Sequence, residues 1–214
     1  MMRELNKNQR KAVEFTNGIC SVIAVPGSGK TLTMTKRIGF LIKEKGVSPE
    51  NILGLTYTRS AAQSMKERLV PVLDEMASRV HLSTIHSFCH HLLKSEGAMY
   101  EIITGKDEIR FIRDIMKTLR IRNLAVGMVM KEISLAKNNL IFLDEFRDLY
   151  AGDKTMMEVA DIFGEYEKQK SKKMLKDFDD LLVNVHELLS GNKGIREKYQ
   201  DRFHHVLVDE FQDT

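Results

Sequence analysis

The chain has 214 residues, of which 43% are hydrophobic and 29% charged, and its formal net charge is +3. This composition is that of an ordinary globular protein with a proper core, and the mild basic balance neither requires nor excludes a polyanionic partner. The longest apolar stretch, residues 19–25, is too short to span a bilayer, the N-terminus lacks a signal-peptide core, and the two cysteines favour a cytoplasmic location.

Short apolar runs bounded by polar residues predict the strands of a sheet. These runs are residues 20–25, 52–58 and 205–209, with a weaker candidate at 80–85. Helical spacing begins at about Lys30 and again after residue 58, where Pro71 is expected to kink or interrupt the second helix. Strands that alternate with helices predict a parallel α/β sheet.

The middle of the chain has a different pattern. Between about residues 88 and 190 only helical segments are found, and the candidates are residues 107–119, 124–136, 155–170 and 178–189. The sequence therefore predicts an α/β domain, formed by residues 1–104 and 177–214, that is interrupted by an all-helical insertion of residues 105–176.

A glycine-rich turn follows the first predicted strand and fits the phosphate loop G-x-x-x-x-G-K-[ST], with alanine at the first position. Its residues are Ala24, Val25, Pro26, Gly27, Ser28, Gly29, Lys30 and Thr31. The glycines let backbone N–H groups face phosphate oxygens, Lys30 can reach the terminal phosphates, and Thr31 can ligate Mg²⁺. The alternative is a strand-to-helix turn with an incidental lysine.

Two acidic residues, Asp209 and Glu210, come at the end of the last predicted strand. In a nucleotide hydrolase Asp209 would hold Mg²⁺, and Glu210 would orient and deprotonate the attacking water. Paired acids at a strand end are also common as solvated termini, so it is the phosphate loop earlier in the chain that favours a catalytic role.

Six motifs in order resemble those of superfamily 1 DNA helicases of the UvrD/Rep/PcrA branch. They are LNKNQ at residues 5–9, the AxxGSGKT type of loop, LTYTRSAA at 55–62, STIHSF at 83–88, DFDDLL at 177–182 and VDEFQDT at 208–214. The resemblance implies a RecA-like P-loop NTPase sheet that is incomplete here and carries an inserted helical subdomain. It also implies ATP and Mg²⁺ as cofactors, and single-stranded and junction DNA as partners.

The resemblance carries roles to individual residues. Gln9 is similar to the glutamine that recognises adenine, Arg37 falls among the nucleotide-contacting residues, and Gln212 resembles the residue that couples phosphate state to DNA. Tyr57 is similar to an aromatic residue that stacks on a base of single-stranded DNA. The other DNA-contacting residues that it implies are Thr56, Thr58, Arg59, Thr84, His86 and Phe88. The family more often has Asn-Lys where this chain has Arg59-Ser60.

Three functions are compatible with these motifs. The chain is the ATP-binding part of a helicase that translocates 3′ to 5′, or it binds nucleotide and DNA without appreciable turnover, or, remotely, it is a small kinase. A kinase would leave Tyr57 and the DFDDLL motif unexplained. The resemblance implies further C-terminal helicase domains, with arginines that complete the ATP site, so we expect this chain to be an excised or truncated N-terminal portion.

The five basic residues Lys168, Lys170, Lys172, Lys173 and Lys176 have two interpretations. They form a solvated helix face, or they contact duplex DNA, which the helical insertion of such helicases approaches.

The end of the chain affects the expected sheet. In RecA-like sheets the strand after 205–209 normally lies between that strand and strand 20–25. We therefore expect an altered or incomplete sheet, in which the two strands pair directly, another chain supplies the missing strand, or the C-terminal segment is displaced.

Overall fold

The computed structural model describes residues 5–213. Its helices are α1 (Lys7–Glu14), α2 (Lys30–Lys43), α3 (Arg59–Leu73), α4 (Ile85–Ser95), α5 (Lys106–Thr118), α6 (Val126–Asn138), α7 (Leu143–Leu149), α8 (Lys154–Lys172), α9 (Phe178–Gly191) and α10 (Lys193–Arg202). Its strands are β1 (Ile52–Thr56), β2 (His81–Thr84), β3 (Glu101–Ile102), β4 (Leu175–Lys176) and β5 (His205–Val208). Thr214, the last residue of the VDEFQDT motif, lies outside the described residues.

The chain forms two compact units, residues 1–88 with 193–214 and residues 89–192. The first is the α/β unit and the second is the helical unit. The boundaries of the helical unit differ from those of the predicted insertion, residues 105–176. The helical unit also includes α9 and the segment 89–104. No helix among the described residues is long and apolar enough to cross a membrane.

The sheet of the α/β unit has three parallel strands in the order β2–β1–β5. The central strand β1 pairs Thr56 with Thr84 of β2 and Leu55 with Val208 of β5, so all three strands end at one edge. The backbone of β1 lies close to Leu82 at Gly54, where a Cβ would overlap Leu82 Cδ2 and would force that side chain to shift. This confirms the predicted α/β class with an incomplete RecA-like parallel sheet.

Helices α2 and α3 cover this sheet with an apolar core. Its fully buried members include Ile38 and Leu41 of α2, Met65 and Leu69 of α3, and Ile52 of β1. Their spacing of three or four residues in the helices is the pattern that predicted both. Pro71 does not break α3, because it lies in the last turn and the helix ends two residues later.

The predicted strand 20–25 is wrong. No residue of this segment is in a strand, and Ile23 is 96% exposed. The strand β5 is an edge of the three-stranded sheet, and no described strand pairs with residues 20–25. An apolar run becomes a buried strand only when neighbouring strands pair with its backbone, and this run has none.

The helical unit confirms the predicted helices, which correspond to α5, α6, α8 and α9. Its core joins α5, α6, α7 and α8, with Ile112, Val129, Phe146, Val159 and Phe163 almost fully buried. The sequence missed the strands β3 and β4, which have two residues each and pair in parallel. Runs so short carry no periodicity that could reveal them.

Candidate functional site

The glycine-rich turn leads directly into α2. Gly27 and Gly29 adopt φ values of 77° and 88°, the left-handed region in which glycine carries no Cβ penalty. Gly29 is the N-cap of α2, so the loop lies at the end of the helix where N–H groups point outward. A Cβ at Gly27 would meet no atom within 4 Å, whereas one at Gly29 would lie 3.0 Å from Gln9 Nε2.

Gln9 of α1 is attached to this loop. Its Nε2 donates to the carbonyl oxygen of Ser28 at 2.9 Å, and its Oε1 accepts from the backbone N–H of Asn6 at 2.9 Å. The Asn6 side chain accepts in turn from the backbone N–H of Gln9, which completes a capping box at the start of α1. The predicted adenine-recognising residue is therefore held against the phosphate loop by the local structure of α1.

The side chain of Ser28 is the clearest sign of a ligand in the loop. Its Oγ is buried and has no hydrogen-bond partner among the described residues. A buried hydroxyl without a partner costs free energy, and a phosphate oxygen would satisfy it. This hydroxyl, together with the open space beside Gly27, fits a phosphate group.

The two acidic residues after β5 lie close to the phosphate loop. Lys30 Nζ is 3.2 Å from Glu210 Oε2, and Gln212 Nε2 donates to the same carboxylate oxygen. These two hydrogen bonds hold the pKa of Glu210 below its usual value. Glu210 also adopts φ 51°, an uncommon conformation for a residue with a side chain and one that is frequent at functional sites.

Asp209 has the opposite electrostatic environment. Burial first, and then the negative charge of Glu210, raise the pKa of Asp209 above its ordinary value. Its backbone N–H donates to Leu55 O at 2.8 Å, which extends the β1–β5 pairing by one residue and fixes its position. A half-buried carboxylate beside a second carboxylate is an environment that a bound divalent cation would stabilise.

At the same edge of the sheet, β1 ends in the predicted DNA-contacting residues. Tyr57 is 59% exposed, so its ring is open to solvent, and Arg59 is exposed as well. Thr56 and Thr58 are used within the protein: Thr56 Oγ1 donates to Thr58 O at 3.0 Å, and Thr58 Oγ1 accepts from Ala61 N as the N-cap of α3. Thr56 is fully buried. The two threonines thus shape the turn that presents Tyr57.

The end of β2 forms a similar turn. Thr84 is buried, and its Oγ1 donates to Ser87 Oγ at 2.9 Å and accepts from the Ser87 N–H at 3.2 Å. His86 is half-buried at the start of α4. Phe88 is half-buried too, and its ring packs against other aromatic rings of the α/β unit.

Arg37 of α2 is in a place that the sequence did not predict. Its Nη1 donates to the backbone carbonyls of Ala12 at 3.0 Å, of Val13 at 3.3 Å and of Phe15. These are unsatisfied carbonyls at the end of α1, where a cation is favourable. Burial lowers the pKa of this guanidinium. In this structure Arg37 therefore ties α1, with Gln9, to the helix of the phosphate loop.

In the helical unit, the DFDDLL motif forms a buried ion cluster that sequence reasoning missed. Lys170 Nζ lies 2.7 Å from Asp177 Oδ2 and 2.6 Å from Asp180 Oδ2, and Lys137 Nζ lies 2.8 Å from Asp177 and also contacts Asp180. Glu167 adds a third carboxylate. The carboxylates are paired with two ammonium groups, so the cluster is not a metal site.

This cluster corrects the interpretation of part of the lysine run, since Lys168, Lys172 and Lys173 are exposed as both interpretations require. Lys170 is 1% exposed and belongs neither to a solvated face nor to a surface open to DNA. Lys176 is half-buried and donates to Asn184 Oδ1. Their partners lie within ten residues of them in the sequence, but on the next helix or at its start, so the charge pattern of the lysine run alone did not reveal these contacts.

Comparison with known proteins places the chain in a family of helicase N-terminal domains. The family model described as "UvrD/REP helicase N-terminal domain" matches residues 5–214. The chain is similar to the ATP-dependent DNA helicase PcrA of Bacillus subtilis strain 168, at 34% identity, and to the protein of the same name from Staphylococcus aureus strain Mu50, at 33%. Each match covers all of this chain and 30% of the relative.

Proposed function

Because the chain belongs to the UvrD/REP helicase N-terminal domain family, we propose that it is the ATP-binding part of an ATP-dependent DNA helicase. The parent protein translocates on single-stranded DNA in the 3′ to 5′ direction and unwinds duplex at junctions. The observation that carries the proposal is the 3.2 Å approach of Lys30 to Glu210, at the sheet edge where the exposed Tyr57 also lies.

The nucleotide would bind at the loop of residues 24–31. Backbone N–H groups of the loop and the Ser28 hydroxyl contact phosphate oxygens, Lys30 reaches the terminal phosphates, and Gln9 recognises adenine. Thr31 and Asp209 would hold Mg²⁺, which would supply positive charge against the negative charge that develops on the phosphates. The raised pKa of Asp209 supports this role, since a cation at that position would relieve its repulsion from Glu210.

Glu210 is the residue that orients and deprotonates the attacking water. Its lowered pKa keeps it ionised and able to accept a proton at neutral pH. Gln212, which donates to the same carboxylate, would report the state of the nucleotide to the DNA side. A phosphate at the loop would compete with Glu210 for the Lys30 ammonium, so nucleotide binding would weaken this contact.

Single-stranded DNA would bind along the carboxyl edge of β1 and β2. Tyr57 stacks on a base, while Thr58, Arg59 and His86 contact the backbone. Such binding tolerates any sequence, because every base has a π-face and phosphates are uniform. Thr56 and Thr84 act by shaping their turns rather than by exposing their hydroxyls.

Nucleotide binding by this chain does not imply ATP hydrolysis. The chain spans 30% of the length of the curated relatives that it matches. Phosphoryl transfer needs charge stabilisation beyond Mg²⁺ and one lysine, and an arginine supplied by another domain can be worth about 10³–10⁵ in rate. We propose that the 214-residue chain binds nucleotide and DNA without appreciable turnover, and that it works in the cytoplasm together with further helicase domains.

Calorimetric titration of the chain with Mg²⁺–ATP, followed by a single-stranded oligonucleotide, tests the proposal. Weak nucleotide binding and salt-dependent DNA binding are expected. A chain that folds but binds neither ligand is not the nucleotide-binding part of a helicase.

A further inference from the structure

An aromatic cluster in the α/β unit is not used by the proposed function. Phe203 is 9% exposed, and its ring meets the ring of His81 edge to face, with centroids 5.1 Å apart and planes at 84°. Phe88 packs on Phe203 at 5.9 Å and 67°, and on Tyr199 at 6.5 Å and 84°. Edge-to-face geometry is the favourable arrangement for aromatic pairs, so the cluster fixes the orientation of each ring.

The members of this cluster belong to separate functional segments. Phe203 stands two residues before β5, the strand that carries Asp209 and Glu210 at its end. Phe88 lies in the first turn of α4, two residues after His86 and four after Thr84. The cluster therefore joins the start of the catalytic strand to the turn that is proposed to contact DNA.

Polar contacts hold Phe203 in place from the other side. Arg202 Nη2 is 3.1 Å from His81 Nε2, and its guanidinium lies 5.1 Å from the centre of the Phe203 ring. The carbonyl of Arg202 accepts from Asn51 Nδ2 at 2.7 Å. Asn51 precedes β1, and His81 begins β2, so the starts of all three strands meet at this point.

From this arrangement we infer that Phe88 and Phe203 are positioning residues for DNA binding, and that Phe88 packs within the protein instead of stacking on a base. The Phe88–Phe203 pair fixes the position of the turn of Thr84 and His86 relative to β5. Tyr57, with 59% of its surface exposed, is then the stacking residue of this edge. The inference rests on the proposed DNA binding and adds a role for Phe203 to it.

Stacking and positioning differ in their response to a missing base. Removing a stacking ring weakens binding to intact DNA and has little effect on DNA that has no base at that point. Removing a positioning ring misplaces backbone contacts, so it weakens binding to both by the same factor. We compare an oligothymidylate with the same strand built from abasic sites, by fluorescence anisotropy of the 214-residue chain.

The variants are Phe88→Leu, Phe203→Leu, their double variant, Tyr57→Leu for stacking, and Phe40→Leu as a control of the same chemistry in α2. Phe203→Met, whose flexible unbranched side chain adapts to an irregular gap, is the second variant should Phe203→Leu fail to fold. Phe88→Leu and Phe203→Leu should each raise Kd about two- to tenfold for both strands, the range of one aromatic pair. Because they remove one shared contact, the double variant should lose little more than either single variant.

The Phe88→Leu and Phe203→Leu variants should bind nucleotide with the affinity of the parent chain. The Phe40→Leu control should bind both DNA strands as the parent chain does. The inference is overturned if Phe88→Leu weakens binding to intact DNA alone, or if the folded Phe203 variants bind both strands as the parent chain does. If the parent chain itself binds no single-stranded DNA, the proposed function fails and the inference fails with it.

Discussion

Lys30 Nζ lies 3.2 Å from Glu210 Oε2, although the two residues are 180 positions apart in the sequence. The contact brings the phosphate loop and the end of β5 to one place, as a nucleotide site requires. Both side chains are partly exposed, at 29% and 38%, so solvent screens the ion pair and it contributes little to the stability of the fold. The contact matters because it shows that the two side chains lie next to each other.

Removing the lysine should abolish nucleotide binding. Lys30→Ala takes away the ammonium proposed to reach the terminal phosphates, and it leaves the Glu210 carboxylate without this partner beside the loop. Calorimetry with Mg²⁺–ATP should detect no binding by the variant. Lys43→Ala, a change of the same size at an exposed position of α2, should bind as the parent chain does. Equal binding by Lys30→Ala and the parent would show that the phosphate loop is wrongly placed.

The chain should hydrolyse ATP very slowly, with or without DNA. Glu210 is proposed to activate water, but a second source of positive charge is needed to stabilise the transition state. Phosphate release should remain orders of magnitude below that of a complete helicase, and an added oligonucleotide should not stimulate it. DNA-stimulated turnover at helicase rates by the purified chain would refute the expectation.

Tyr57 and Arg59 should contribute to DNA binding in different ways. Tyr57→Ala should cost about 1–3 kcal/mol per stacked base, with the same loss at every salt concentration. Arg59→Ala should reduce the dependence of log K on log salt by about 0.7, the share of one phosphate contact on a single strand. Anisotropy titrations between low and high salt measure both quantities. If the two variants behave alike, the assignment of stacking to Tyr57 is wrong.

The ion cluster of the helical unit should control its stability. Asp177→Asn leaves two buried ammonium groups undercompensated, and loss of one partner of a buried pair costs about 3–5 kcal/mol. The matched control is Asp179→Asn in the same helical turn, whose side chain accepts from the exposed Asn138 and has no other hydrogen bond within residues 5–213. The control should cost about 1 kcal/mol or less. Urea unfolding monitored by circular dichroism gives both values.

This stability should depend on pH in a defined direction. Burial acts to raise the pKa of Asp177, but Lys137 and Lys170 outweigh it and hold that pKa below its usual range. A carboxylate whose pKa is lower in the folded state stabilises fully above its unfolded value of about 4, and the contribution is lost as pH falls further. The difference between parent and Asp177→Asn should stay constant from pH 7 to about 5 and shrink below pH 4. A difference that shrinks between pH 7 and 5 would contradict this.

The sequence predicted those parts of the protein that depend on local spacing. The phosphate loop, the acidic pair after an apolar strand, the helices α2, α3, α5, α6, α8 and α9, and the α/β class with an incomplete sheet all follow from periodicity and motif order. Their residues interact within a few positions of one another, or their chemistry requires fixed neighbours in the chain.

Tertiary structure decided the features that depend on distant neighbours. The run 20–25 is apolar enough for a buried strand, yet no described segment pairs with it, so it remains exposed. Lys170 resembles the surface lysines around it, yet three carboxylates bring it into the core. Phe88 belongs to a motif that is predicted to contact DNA, yet it packs on Phe203. In each case the residue type is compatible with both an exposed and a buried position. The free energy of burial, pairing or stacking decides between them, and it depends on groups that only the fold brings into contact.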